Sequence, residues 1–248
     1  MKVVVIGGTG LIGSKVVSKL NEHGHEAVAA SPNTGVNTVT GEGLAEVLKG
    51  ASVVVDVSNS PSFADDAVRE FFHRSTANLL KAEAEAGVAH HVALSVVGTD
   101  RLQQAGYFRA KQMQEDMIRD SGVPYSIVHA TQFFEFAKTL ADSATEGDTV
   151  SVAPIKIQPI FSGDVAAAVA RTAVGAPVNG IVEVAGPDTF RMEDFIRKGL
   201  AVHSDPRTVV TDPQGLYWGA ALEESDLLPG PGARIGETSF ADWSAQQK

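Results

Sequence analysis

Val3-Val4-Val5-Ile6-Gly7-Gly8-Thr9-Gly10-Leu11-Ile12-Gly13 is a short apolar run that breaks into glycines and leads straight into a segment with Ile12, Val16 and Leu20 on one helical face. That order predicts a strand, a tight turn and a helix. Glycines in such a turn let backbone N–H groups approach a pyrophosphate, the last glycine lets helix pack on strand, and the helix N-terminus adds partial positive charge for an anion. Gly7, Thr9, Gly10, Leu11, Ile12 and Gly13 are therefore the candidate cofactor-binding loop.

Outward from this unit the same alternation repeats. Apolar runs at Ala27–Ala30, Val53–Val57, Val92–Val97 and Tyr125–Ala130 are separated by amphipathic stretches at Gly43–Lys49, Ala64–Ala86 and Tyr107–Ser121. Near-continuous apolar strands joined by helices predict an α/β fold, a doubly wound, Rossmann-like parallel sheet buried on both faces. Ser62 with Asp65 reads as a capping-box variant opening the third helix, and Gly87 and Gly122 read as the ends of the third and fourth. After Ala130 the alternation loosens. A helix from Ser162-Gly163-Asp164 through Arg171, a strand at Gly180–Ala185, a helix near Met192–Ala201, a strand near Thr208–Thr211 and a Pro/Gly-rich tail from Pro229 to Gly236 follow. The expectation is one domain over residues 1–248, with a small C-terminal substrate lobe mainly from residues 131–159 and 186–248.

Composition narrows the function classes. With 20 Lys+Arg against 30 Asp+Glu the formal net charge is −10, which leaves no basic footprint for nucleic acid or an anionic lipid surface. There is no cysteine, so thiolate chemistry, disulfides and cysteine-type zinc sites are excluded and a reducing, cytoplasmic setting is expected. No apolar stretch approaches the roughly 18 residues of a membrane span. His23, His25, His90 and His91 lack the spacing and carboxylate company of a metal site, so no metal is expected. A small-molecule substrate is the expected partner, with the chain a monomer or homodimer.

At the end of the second strand, where an Asp or Glu reads the ribose of NAD and an Arg the 2′-phosphate of NADP, stands Ser31-Pro32-Asn33-Thr34, with no Lys or Arg between Lys19 and Lys49. That favours NAD, and NADP stays the alternative because Ser31, Asn33 and Thr34 offer hydrogen bonds to a phosphate. Ser58 and Asn59, in the polar cluster closing the third strand, lie where open α/β sheets bind ligands. Ser95 closes the fourth strand, and Tyr107 and Lys111 stand four apart on one helical face. A phenol with a pKa near 10 becomes a usable proton donor when a cation favours its anion, and Ser95 is placed to bond a substrate oxygen. His129, Phe133 and Phe134 are the candidate substrate-lining residues, and an aromatic pocket implies a bulky, flat, neutral ligand such as a quinone.

Gly-Gly-Thr-Gly-Leu-Ile-Gly at Gly7–Gly13, Ser95 and Tyr-x-x-x-Lys at Tyr107–Lys111 resemble the short-chain dehydrogenase/reductase superfamily. His91–Gly98, Tyr107–Glu115 and Ser121–Phe136 are similar to its atypical, NmrA-like branch. The resemblance implies an NAD(P)-dependent oxidoreductase with Gly7, Gly10 and Gly13 holding the cofactor, Lys111 on its ribose, Tyr107 as acid/base and Ser95 as its partner. The chain departs from that branch at His129, where an Arg is common, and at Ser31, where the cofactor discriminator is missing. Some members of the branch bind the nucleotide and act as redox sensors, which is the alternative reading.

Overall fold

A computed structural model describes residues 1–247. Along the chain the elements begin with β1 (Lys2–Ile6), α1 (Leu11–Glu22), β2 (Glu26–Ala30), a one-turn α2 (Leu44–Val47), β3 (Val53–Asp56), α3 (Asp65–Ala86), β4 (His90–Val96), α4 (Gly106–Asp120) and β5 (Tyr125–Ala130). They continue with α5 (Ala137–Ser143), β6 (Thr145–Glu146), β7 (Thr149–Val152), β8 (Lys156–Ile157), α6 (Ser162–Val174), β9 (Gly180–Ala185), β10 (Phe190–Arg191), α7 (Met192–Val202), β11 (Thr208–Thr211), β12 (Arg234–Ile235) and α8 (Phe240–Ala245). Two compact units result among the described residues: residues 1–95, 106–129 and 165–182 form the first, and residues 96–105, 130–164 and 183–247 the second.

The central sheet runs β9-β5-β4-β3-β1-β2, and β12 joins β9 as its seventh strand. β1 pairs in parallel with β2 and β3, placing Ile6 opposite Ala30 on one side and Asp56 on the other, and Asp56 stands opposite Ala93 of β4. The chain leaves β1 for β2, then returns past β1 to β3. The carboxyl ends of β1 and β3 therefore flank a topological switch point, where doubly wound sheets bind ligands. Val3, Val4 and Val5 are fully buried, as strands covered on both faces require. Val4, Ile6, Val54, Leu44, Leu48 and Leu79 pack into one apolar cluster, and Leu80, Ala93, Ile118 and Ile127 into another.

Gly87 closes α3 in the left-handed region at φ 69°, and Gly122, at φ 76°, follows α4. The start of α3 differs from expectation. Its N-cap is Ala64, without a side-chain hydrogen bond, and Asp65 does not reach back to Ser62 because its carboxylate accepts from Arg109 of α4 at 2.7 Å.

In the second unit the loosened sequence holds α5 and the short strands β6, β7 and β8. β7 pairs antiparallel with β6 and parallel with β11, and β8 antiparallel with β10. α6 begins at Ser162 itself and runs on to Val174. α8 lies beyond the periodic signal but not beyond all signal: Ser239 caps it, its Oγ accepting from the Asp242 amide at 3.1 Å. α8 also overturns one expectation, because Phe134 packs against Phe240 and Trp243 at ring separations of 5.2 and 5.6 Å and is fully buried. Phe134 is core, not pocket lining. Phe134→Ala should cost about 3–5 kcal/mol in a urea unfolding titration. Among the described residues no helix is long and apolar enough to cross a membrane.

Candidate functional site

The site begins at the glycine turn. Gly7 has φ 74°, and its amide donates to Ala30 O at 2.9 Å. A Cβ on Gly7 would lie 3.0 Å from the Ser58 backbone, and one on Gly13 would lie 2.1 Å from Gly7 O. Helix, turn and the end of β3 are thus so close that only hydrogen fits at these positions. Gly10 caps α1 without a side-chain hydrogen bond, so the first amides of a 12-residue helix keep their donors and the dipole its partial charge for an anion. A cradle that a methyl group would fill, at an uncapped helix N-terminus on the switch point, fits the pyrophosphate of a dinucleotide.

Two polar segments flank the turn. Ser31 is buried at the end of β2, where its amide donates to Thr34 Oγ1 at 2.9 Å. At the end of β3, Asp56 Oδ1 accepts from the Ser58 amide at 2.9 Å and from Ser58 Oγ at 2.6 Å. Asn59 is exposed and turns its Oδ1 to the Ser60 amide.

A layer of buried polar groups lies between the sheet and α4. Lys111, 2% exposed, donates to Leu94 O at 3.0 Å and to Gln114 Oε1, and its Nζ stands 4.6 Å from the centre of the Phe72 ring. Gln114 Nε2 donates to Asp56 Oδ2 at 3.1 Å. One residue on, Glu115 Oε1 accepts from Ser95 Oγ at 2.5 Å and from His129 Nε2 at 2.9 Å. Burial alone would raise the Glu115 carboxyl, but the His129 hydrogen bond and charge, the Ser95 hydroxyl and the Lys111 charge together hold it below the usual range. Burial pushes Lys111 down to about 8 against the pull of Asp56 and Glu115.

Several expected roles change in this geometry. Ser95 is 3% exposed and spends its hydroxyl hydrogen on Glu115 rather than presenting it at the sheet edge. His129 is likewise buried on Glu115 and is not a lining residue. Tyr107 stands one turn before Lys111 on α4 but packs toward α3, among Phe63, Phe72 and Phe108, with ring separations of 5.6, 6.1 and 5.5 Å. Burial pushes its phenol well above the ordinary value. The Lys111 ammonium is committed to Leu94, Gln114 and Phe72 and does not act to lower it. Phe133 is half-buried and tilts against the exposed Phe136 at 5.2 Å. Gln114 and Glu115 were not among the sequence candidates. Their signal was their position three and four residues after Lys111, hence on its face.

Below this layer His91 Nδ1 donates to both oxygens of Glu83, at 2.8 and 3.0 Å, with both side chains fully buried. Burial works to lower His91, yet the charge and hydrogen bond of Glu83 outweigh it and the imidazole is held above its ordinary value. A folded-state value raised above the unfolded one, about 6.5, means this pair's stabilisation is complete below that pH and is lost as pH rises through the folded value. The urea midpoint of the wild type should therefore fall from pH 6 toward pH 9 by more than that of Glu83→Gln.

A parallel sheet with a glycine cradle at its switch point defines a dinucleotide-binding domain of the Rossmann type. A family model for NAD(P)H-binding proteins matches residues 7–174, and the chain belongs to that family. The chain is 29% identical over 144 residues to a (4-alkanoyl-5-oxo-2,5-dihydrofuran-3-yl)methyl phosphate reductase of Streptomyces griseus, covering 53% of this chain and 48% of that protein. It is 23% identical over 149 residues to the photosystem II assembly factor Ycf39 of Cyanophora paradoxa, covering 54% and 46%. The chain thus spans about half the length of the curated relatives it matches. The fold is shared with an NADPH-dependent quinone oxidoreductase of Escherichia coli, at a TM-score of 0.70 and 17% identity over 98% of both chains.

Proposed function

We propose that this chain is an NAD(P)H-dependent oxidoreductase that reduces a carbonyl, quinone or activated double bond of a small molecule. One observation carries the reading: Tyr107 and Lys111 stand one turn apart on α4, with Lys111 bonded to the β4 backbone and linked through Gln114 to the end of β3. Reduced nicotinamide, when bound, supplies hydride to the acceptor carbon. Tyr107 supplies the proton: a phenol held above its ordinary value keeps its hydrogen through the neutral range and releases it only to an oxygen that has gained negative charge. Lys111 serves as the cation at the ribose. The reductase name of the Streptomyces relative supports this direction of reaction.

The test is NADH and NADPH oxidation over a panel of quinones, enones and aromatic ketones. Turnover with at least one acceptor is expected, with NADH binding more tightly than NADPH because the chain around Ser31 has no Lys or Arg between Lys19 and Lys49 to offset a 2′-phosphate. Turnover should fall as pH rises through about 8, where Lys111 loses its charge, and Lys111→Met should remove that limb of the profile.

A second reading, an NAD(P)H-binding regulatory protein without chemistry, is favoured by one feature. Ser95 and Lys111 already spend their donors on protein partners. Tight cofactor binding with no hydride transfer across the panel would select it.

A further inference from the structure

We propose that Gln114 is a positioning residue that ties Lys111 to the cofactor-binding end of β3, so that movement at Ser58 is transmitted to the Lys111 ammonium. The proposal rests on the reading that Lys111 works at the cofactor.

The carboxamide satisfies both neighbours at once. Its Oε1 faces an ammonium and its Nε2 faces the Asp56 carboxylate, so one end must accept and the other must donate. A carboxylate there would repel Asp56, and an apolar side chain would leave buried groups on both sides with a bond short. The ammonium has three hydrogens to place. Leu94 O and Gln114 Oε1 take two, and the Phe72 ring lies 4.6 Å away from Nζ. Beyond Gln114 the chain of bonds continues without a gap: Asp56 Oδ2 accepts from Gln114, and Asp56 Oδ1 holds the amide and hydroxyl of Ser58. Ser58 is the residue whose backbone a Cβ on Gly7 would meet at 3.0 Å. The glycine turn thus packs directly on the Ser58 backbone, and one unbroken chain of hydrogen bonds runs from Ser58 through Asp56 and Gln114 to Lys111. Gln114 and Asp56 are each buried, which keeps the chain out of competition with solvent. The other charged groups acting on Lys111 are Asp56 of β3 and Glu115 of α4, and His91 of β4 is within the reach of its field.

The test follows Lys111 directly, in protein carrying 13Cε-lysine, with the Lys111 signal assigned by its loss in Lys111→Arg. The wild type should titrate near 8. Gln114→Leu should lower the midpoint by about one pH unit, since the ammonium loses an acceptor while staying buried, and Gln114→Glu should raise it by a similar amount. Opposite movements of the two variants are not what general loosening of α4 produces. Saturating NADH should move the wild-type midpoint by clearly more than that of Gln114→Leu, where only the direct contact with the cofactor is left to act. Should Gln114→Leu not fold, Gln114→Asn, whose shorter amide cannot span both partners, takes its place with the same expectation. A Lys111 midpoint and NADH response identical to wild type in these variants would overturn the proposal. Unchanged NADH affinity in Lys111→Met would instead remove Lys111 from the cofactor and leave the coupling seen in the free protein intact.

Discussion

Gly13→Ala should weaken NADH binding by at least about a hundredfold, roughly 2.7 kcal/mol. The added methyl would stand 2.1 Å from Gly7 O and 2.7 Å from the Gly8 Cα, both backbone atoms, so no side chain can swing away to make room. α1 must then retreat from the turn. Its amides and its partial charge retreat with it, and they are what the cradle offers a pyrophosphate. Overpacking of this kind also lowers global stability by about 1–3 kcal/mol, so binding has to be measured by calorimetric titration below the unfolding transition. Gly232→Ala, at a glycine with nothing within 4 Å of an added Cβ, is the matched control and should leave binding unchanged. Wild-type affinity in Gly13→Ala would mean that the turn does not hold the cofactor.

Tyr107→Phe should lower hydride transfer by about 10²–10⁴-fold, the usual worth of a placed general acid, with the NADH dissociation constant within twofold of wild type. The substitution removes one oxygen from a ring that packs on Phe63, Phe72 and Phe108, so the aromatic cluster and the start of α4 stay in place. Stability should change little or rise slightly, because the phenol sits in surroundings apolar enough to push it well above its ordinary value. A large loss of turnover with intact binding and stability assigns the proton to Tyr107. Turnover at the wild-type rate would exclude it.

How much of this was legible in the sequence depends on how local each feature is. β1, the glycine turn and α1 are contiguous, and each carries its own signal, so residues 3–13 sufficed to place the cradle. The Lys111 face of α4 could be read from four-residue spacing alone. The role of Ser95 could not, because its partner Glu115 is 20 residues away and on another element. His129 joins the same carboxylate from β5, a meeting that only the strand order brings about. Phe134 reads as readily as pocket as it does as core until α8 is known to cover it, and α8, at six residues, is too short for periodicity to reveal. The short strands β6, β8 and β10 of the second unit have too few residues to show alternation at all.

On the proposed reading this chain binds reduced nicotinamide and moves hydride from it. The most direct measurement is a single-turnover experiment with NADH deuterated at C4, mixed with an excess of protein and the acceptor panel, and analysed by mass spectrometry of the acceptor. Deuterium on one acceptor carbon, at a rate that collapses in Tyr107→Phe, is the predicted result. Bound NADH that keeps its deuterium with every acceptor would contradict it.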